Sequence, residues 1–169
     1  MKSDLDRLMA EKNIDALFVA GGSMHNPSMY YFTGGVHLTD GALLKKRGEK
    51  PVLLHWPMER DEAARTGFET RNLMHYDYME LVKQADGDRT LALAGVYRKI
   101  FEEFGVRGRV GLAGKVELGP NFQLFNTLGD ALSGVELFGE TKEPVLTLAA
   151  STKDAGEIER MRNIGRITT

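Results

Sequence analysis

The sequence has no cysteine, which excludes a disulfide framework and thiol chemistry. It has no marked excess of either charge. With 22 Lys and Arg against 24 Asp and Glu, the net charge of −2 argues against nucleic acid or an anionic membrane as the main partner. The first residues, MKSDLDRLMAEKN, lack the apolar run of a signal peptide or a membrane span, so a cytoplasmic protein is expected. Internal repeats, low-complexity stretches and interior linkers are missing too. The four histidines are scattered and form no HExxH pair. The one basic cluster, Lys45-Lys46-Arg47, precedes a glycine and is predicted to be a solvated hairpin tip.

What is there is an ordinary globular composition, 42% hydrophobic and 27% charged. A chain of 169 residues fits one domain that buries about two-thirds of its unfolded surface. Leu5, Leu8 and Met9 predict a short helix ending near Asn13, and ALFVA at 16–20 is an apolar run of strand length. Gly, Asn and Pro make 21–28 a predicted loop. Two strands joined by a turn at Arg47–Lys50 are predicted over 42–54, a helix over 58–66 and a strand over 70–74. In 89–106, Leu93, Val96, Ile100 and Phe104 share one helix face and Gly105 follows its end. Segments 109–113 and 135–138 are strand-like and flank a helix around Phe122–Leu132. This order implies an α/β fold: a mixed sheet with helices on both faces, three layers in all.

Motifs for chemistry mostly fail. VAGGSMHN and GLAGK each follow a strand but lack the three spaced glycines of a dinucleotide fingerprint. A phosphate loop ending at Gly114-Lys115 would need a glycine at Arg109 and a hydroxyl at Val116. GGSMH around Ser23 begins like a nucleophile elbow, but its closing position is His25. His55 and Glu59 are four apart, yet Pro57 lies between them and disfavours one helix, so His55 is read as a strand end.

The tail KDAGEIERMRNIGRITT has the signature of a helix start. Asp154 and Glu157 have capping-box spacing, acidic residues precede basic ones, and Ile158, Met161, Ile164 and Ile167 form an apolar stripe.

Two stretches carry a family resemblance. KNIDALFVAGG…NPSMYYFTGG resembles the opening of the creatinase, prolidase and aminopeptidase P family, through Ile14-Asp15-Ala16-Leu17 and Tyr31-Phe32-Thr33-Gly34. TKDAGEIERMR is similar to the family's K-S-x-x-E-I-x-x-M-R, through Lys153, Glu157, Ile158, Met161 and Arg162. Ser28 stands where the family usually has an asparagine, and Ala150 where it often has an arginine.

The resemblance implies a non-catalytic N-terminal domain over 1–150, with a ribonuclease H-like motif in its three layers. Residues 151–169 would be the linker and first helix of a catalytic domain lying outside this sequence. It further implies that the parent is an Xaa-Pro dipeptidase or aminopeptidase P-like metallohydrolase, with a creatinase-like substrate as a variant. Two divalent metals (manganese, cobalt or zinc) would be held by residues outside this chain. The expected partners are its own catalytic domain and a second copy in a homodimer, with no nucleic acid and no membrane. No catalytic or metal-binding residue is then expected here. In the family, the region matching 25–41 reaches the dimer mate's cleft, which points to His37 first, and to His25 and Tyr30 more weakly, as substrate contacts. In the same segment Tyr31 and Phe32 read as core, and Gly34-Gly35 as a turn. The alternative is a stand-alone module of this fold that binds a small molecule or a protein, using the strand-end loop 21–28.

Overall fold

A computed structural model describes residues 4–168. In chain order the elements are α1 (Leu5–Glu11), β1 (Ala16–Ala20), α2 (Pro27–Thr33), β2 (Gly41–Lys46), β3 (Val52–His55), α3 (Arg60–Ala64) and β4 (Glu69–Asn72). They continue with α4 (Tyr78–Gln84), α5 (Arg89–Glu103), β5 (Gly108–Gly114), α6 (Leu118–Ala131), β6 (Val135–Gly139), α7 (Val145–Ser151) and α8 (Ala155–Thr168). The strands form one mixed sheet in the order β4-β3-β2-β1-β5-β6. Only β2 runs against its neighbours, in register Ala16↔Lys46 with β1 and Leu43↔Leu53 with β3.

Strand periodicity sorts the core into two layers. On one face Phe18, Ala42, Leu44 and Leu54 pack with Tyr97, Phe101 and Leu128 of α5 and α6. On the other, Leu17, Val19, Leu43 and Leu53 pack with Met9, Met29, Ala63 and Val145 of α1, α2, α3 and α7. Phe18 meets Tyr97 edge-on at 4.9 Å and Phe101 at 5.4 Å between ring centroids. Each such fully buried large side chain contributes about 1.5–3 kcal/mol relative to exposure. The crossovers explain the two layers. β3 to β4 moves toward one edge of the sheet and β5 to β6 toward the other, so right-handed connections put α3 and α6 on opposite faces.

Three helices go beyond the elements read from sequence. α2 begins inside the predicted loop 21–28 and runs on past it, because its loop-like residues are caps. The Asn26 side chain accepts from the Met29 amide at 3.3 Å, Pro27 opens the helix, and Gly34 closes it with φ 67°. α4 has no buried residue to advertise it, and Leu81 approaches α5 over Gly95, where a Cβ would lie 3.2 Å from the leucine methyls. α7 follows Pro144 and buries Val145, Leu146 and Ala149.

The basic cluster is also not a freely solvated tip. Lys45 is 5% exposed and donates to Asp6 Oδ1 at 2.5 Å and to the Lys46 carbonyl at 2.8 Å. Arg47 pairs with Asp15 at 2.8 Å, and Lys46 with Glu49 at 2.7 Å. The hairpin turn folds back on α1 and the start of β1, so Lys45 and Arg47 find partners distant in sequence.

At the other terminus the capping box is formed. Asp154 Oδ1 accepts from the Glu157 amide at 2.8 Å and Glu157 Oε2 from the Asp154 amide at 2.9 Å. The Glu157 amide bond is the main reason the Asp154 carboxyl sits below its ordinary value. The stripe of α8 is exposed, from 38% at Ile158 to 84% at Ile167.

Candidate functional site

β1, β3, β4, β5 and β6 all end on the same rim of the sheet, where β2 begins. Two loops meet there: 34–40 between α2 and β2, and 56–59 after β3. Glu59, 8% exposed, ties them together. Its Oε1 accepts from the Thr39 amide, from Thr39 Oγ1 at 2.6 Å and from the Asp40 amide at 3.3 Å. Glu59 Oε2 is buried without a hydrogen-bond partner among the described residues. Asp40 Oδ2 in turn accepts from Trp56 Nε1 at 3.1 Å, and its Oδ1 from the Gly41 amide at 2.8 Å. Ser23 is structural: its amide and hydroxyl bond the Leu38 backbone, with Oγ accepting from the Leu38 amide at 2.9 Å. His55 ends β3, buried, with Nδ1 2.8 Å from the Trp56 carbonyl oxygen.

This clamp presents His37 to solvent. His37 lines a cavity of about 650 Å³ with Thr39, Trp56, Met58, Glu59 and Glu62. The cavity couples an imidazole to apolar surface, including a Met58 that is 98% exposed. Such a wall can hydrogen-bond a substrate carbonyl or carboxylate while covering an apolar side chain.

The other two candidates lie elsewhere. Tyr30 is 58% exposed and lines a separate cleft of about 560 Å³ with Lys153 and Asp154 before α8 and Glu157 and Arg160 within it. His25 is exposed with φ 55° in the turn before α2 and lines neither cavity. The structure therefore does not gather His25, Tyr30 and His37 into one site. Beside the Tyr30 cleft, burial pushes the Tyr31 hydroxyl up to about 12, with Glu157, Asp4 and Asp154 adding to the rise. Phe32 is core, as expected, and Tyr31 is half-buried edge-on to it at 5.1 Å.

Sequence reasoning missed Trp56, Asp40 and Glu59, which complete the rim. Glu59 entered only as a discarded metal partner of His55, since nothing local announces a carboxylate that caps a loop twenty residues away. Among the described residues no three His, Asp or Glu side chains converge as a metal site. Among them, too, no helix is long and apolar enough to cross a membrane.

Comparison with known proteins gives three kinds of result. A family model, the Creatinase/Prolidase N-terminal domain, matches residues 2–141. No curated protein sequence matches significantly. Solved structures share the fold. An X-Pro aminopeptidase from Thermotoga maritima aligns with a TM-score of 0.60 at 20% identity, over 90% of this chain and 38% of its own. A dipeptidase from Pyrococcus horikoshii gives a TM-score of 0.65 at 16% identity, over 98% of this chain and 40% of its own. The N-terminal domain of an Xaa-Pro dipeptidase from Lactobacillus brevis gives 0.52 at 11% identity, over 88% of this chain and 99% of its own. This chain thus spans about two-fifths of the two longer proteins.

Proposed function

The chain belongs to the creatinase/prolidase N-terminal domain family, and from that premise we propose that it is the non-catalytic domain of an Xaa-Pro peptidase-like metallohydrolase. Its work in this reading is to pair with a second copy and to wall the active-site cleft. The rim carries the proposal: Glu59 clamps two loops so that His37 and Trp56 face one open cavity. His37 is the side chain we assign to substrate contact across the dimer. Tyr30 and His25 are secondary candidates, because they lie outside that cavity.

The two divalent metals that the family resemblance implies do not fit the residues present, since no ligand set converges among those described. The reading therefore requires ligands from outside this sequence, and no chemical step is assigned to this domain. The exposed stripe Ile158, Met161, Ile164 and Ile167 is the surface we assign to contact with the catalytic domain. A cytoplasmic setting belongs to the same proposal. The test is turnover. Incubated with Xaa-Pro dipeptides and manganese or cobalt, the 169-residue chain is expected to release no product. Hydrolysis that survives rigorous purification would overturn the non-catalytic assignment.

A further inference from the structure

A second cavity on the same rim has features that the peptidase reading does not use. It lies outside the ends of β1 and β5. From β1 the chain turns toward β2, and from β5 toward β6 on the opposite side. The loops diverge there and leave a crevice of about 370 Å³ at the switch point of the sheet, where open α/β sheets place ligands. The two glycine stretches that fail as nucleotide loops converge on it. A Cβ at Gly21 would lie 2.4 Å from the Lys115 carbonyl oxygen, one at Gly22 2.4 Å from that of Thr39, and one at Gly114 2.1 Å from that of Ala20. The glycines let three backbones close the floor of the crevice and bring Lys115 to its mouth.

The lining offers polar groups that the protein itself does not pair. Tyr97 is 4% exposed and lines the crevice, and its hydroxyl oxygen, accessible to solvent, makes no hydrogen bond within the described residues. Arg89 and Lys115, both exposed, also line it, and neither has an ion-pair partner among those residues. Arg47, Arg71 and Arg109, by contrast, are each paired with a carboxylate. Arg89 is moreover the first residue of α5, where the helix dipole disfavours a cation. Two carboxylates share the lining: Asp40, whose oxygens accept from the Trp56 indole and the Gly41 amide, and Glu117, and among the described residues neither pairs with Arg89 or Lys115. One wall is aromatic: Trp56 and Tyr78 stand edge-on with centroids 5.0 Å apart, and the indole N–H is held by Asp40.

We propose that this crevice binds a small ring-bearing carboxylate. The carboxylate pairs with Lys115 and Arg89 and accepts from the Tyr97 hydroxyl, and the ring lies on Trp56 and Tyr78. The inference is independent of the peptidase reading, because the cavity differs from that of His37 and shares only Thr39 and Trp56 with it.

The test is an NMR titration of the ¹⁵N-labelled 169-residue chain, in which the single tryptophan gives one indole N–H resonance. Benzoate is expected to shift the Trp56 indole and the Lys115 amide saturably. Benzamide, which has the ring without the charge, and inorganic phosphate, which has charge without the ring, are expected to bind about tenfold or more weakly. Arg89→Gln and Lys115→Gln, both at exposed positions, should each weaken benzoate by roughly three- to tenfold, and Tyr97→Phe by about threefold. The proposal is overturned if benzoate gives no saturable shift, or if benzamide binds equally well. Tighter binding of phosphate, or unchanged benzoate affinity in both charge variants, would overturn it as well.

Discussion

The two ends of the sheet are built to different standards. At the end where β1 and β5 start, most charges are consumed locally, although Arg107 bonds only the Val106 carbonyl. Asp15 accepts from Arg47 at 2.8 Å and from the Arg109 amide at 2.9 Å. The Arg109 guanidinium reaches Glu136 at 3.2 Å and lies 4.3 Å over the Phe138 ring. Lys45 is buried against Asp6. At the end where β1 and β5 finish, Arg89, Lys115 and His37 are exposed, and the Tyr97 hydroxyl makes no hydrogen bond among the described residues. Paired groups stabilise; unpaired groups at a cavity can act on something else. Under the proposed function one end is structure and the other recognition, and substitutions at each should separate the two.

The largest effect should come where both ends depend on bare backbone. Gly114 has φ 117°, and its added Cβ would meet the Ala20 backbone, which cannot yield. Gly114→Ala should cost about 3 kcal/mol or more in urea unfolding, since strained φ and overpacking act together. Gly108, at the opposite end with φ 77°, faces only the Asp15 carboxylate, whose movement relieves the clash. Gly108→Ala should therefore cost less, about 2 kcal/mol. Equal values would show that the two ends are pinned alike.

Glu59→Ala comes next, at about 2 kcal/mol, because Thr39 and Asp40 lose a shared buried acceptor. Glu59→Gln keeps an acceptor oxygen and should cost well under half as much. Amide hydrogen exchange at Thr39 and Asp40 should quicken in the alanine variant alone. Faster exchange in both variants would show that the carboxylate charge, not the hydrogen bond, holds the rim.

At the structural end, Asp6→Asn should cost roughly 1–2 kcal/mol, less than breaking a fully buried pair because the Asp6 side chain is 47% exposed. Burial opposes ionisation of Asp6, but hydrogen bonds from Lys45 and the Gly48 amide, with the charges of Lys45 and Arg47, hold its carboxyl below the ordinary value. The sign follows from that depression. The contribution is fully present above the unfolded value of about 3.9 and is lost as pH falls through the lower folded value. Acid titration of both proteins should therefore show their stability gap closing only below about pH 4. A gap that narrows between neutral pH and pH 5 would assign the stabilisation to another group.

How much of this was legible in sequence depended on range. The strand-length apolar runs of β1 to β3, the stripe of α5 and the capping box of Asp154 with Glu157 are signals written within a few residues, and each forms as read. α2 was misread because Asn26-Pro27 and Gly34 are ambiguous between a loop and helix caps; their seven-residue spacing was the available clue. Lys45 was misread because its partner Asp6 lies 39 residues away. For the candidate site, a resemblance pointed to His37, which lies exposed on the rim. Trp56, Asp40 and Glu59 could not be joined to it, since only sheet order brings the ends of β1, β3 and β5 to one rim.

The smallest stability effect is expected at the residue given most weight in function. His37 is exposed and lies outside the helices and strands, so His37→Ala should change unfolding free energy by no more than about 0.5 kcal/mol. That near-neutrality makes it a clean probe. In a polypeptide carrying both this domain and a catalytic domain, the same substitution should lower kcat/KM by about tenfold or more, since losing one hydrogen bond to substrate is worth roughly 1–3 kcal/mol. Metal content and dimer formation should be unchanged, because His37 is assigned to neither. The pattern separates the two ends of the sheet directly: Asp6→Asn should lower stability and leave kinetics alone, and His37→Ala the reverse. Unchanged kinetics in His37→Ala would remove it from substrate contact and leave the rim as scaffold. A loss of stability near that of Asp6→Asn would show that the exposed end is as structural as the paired one.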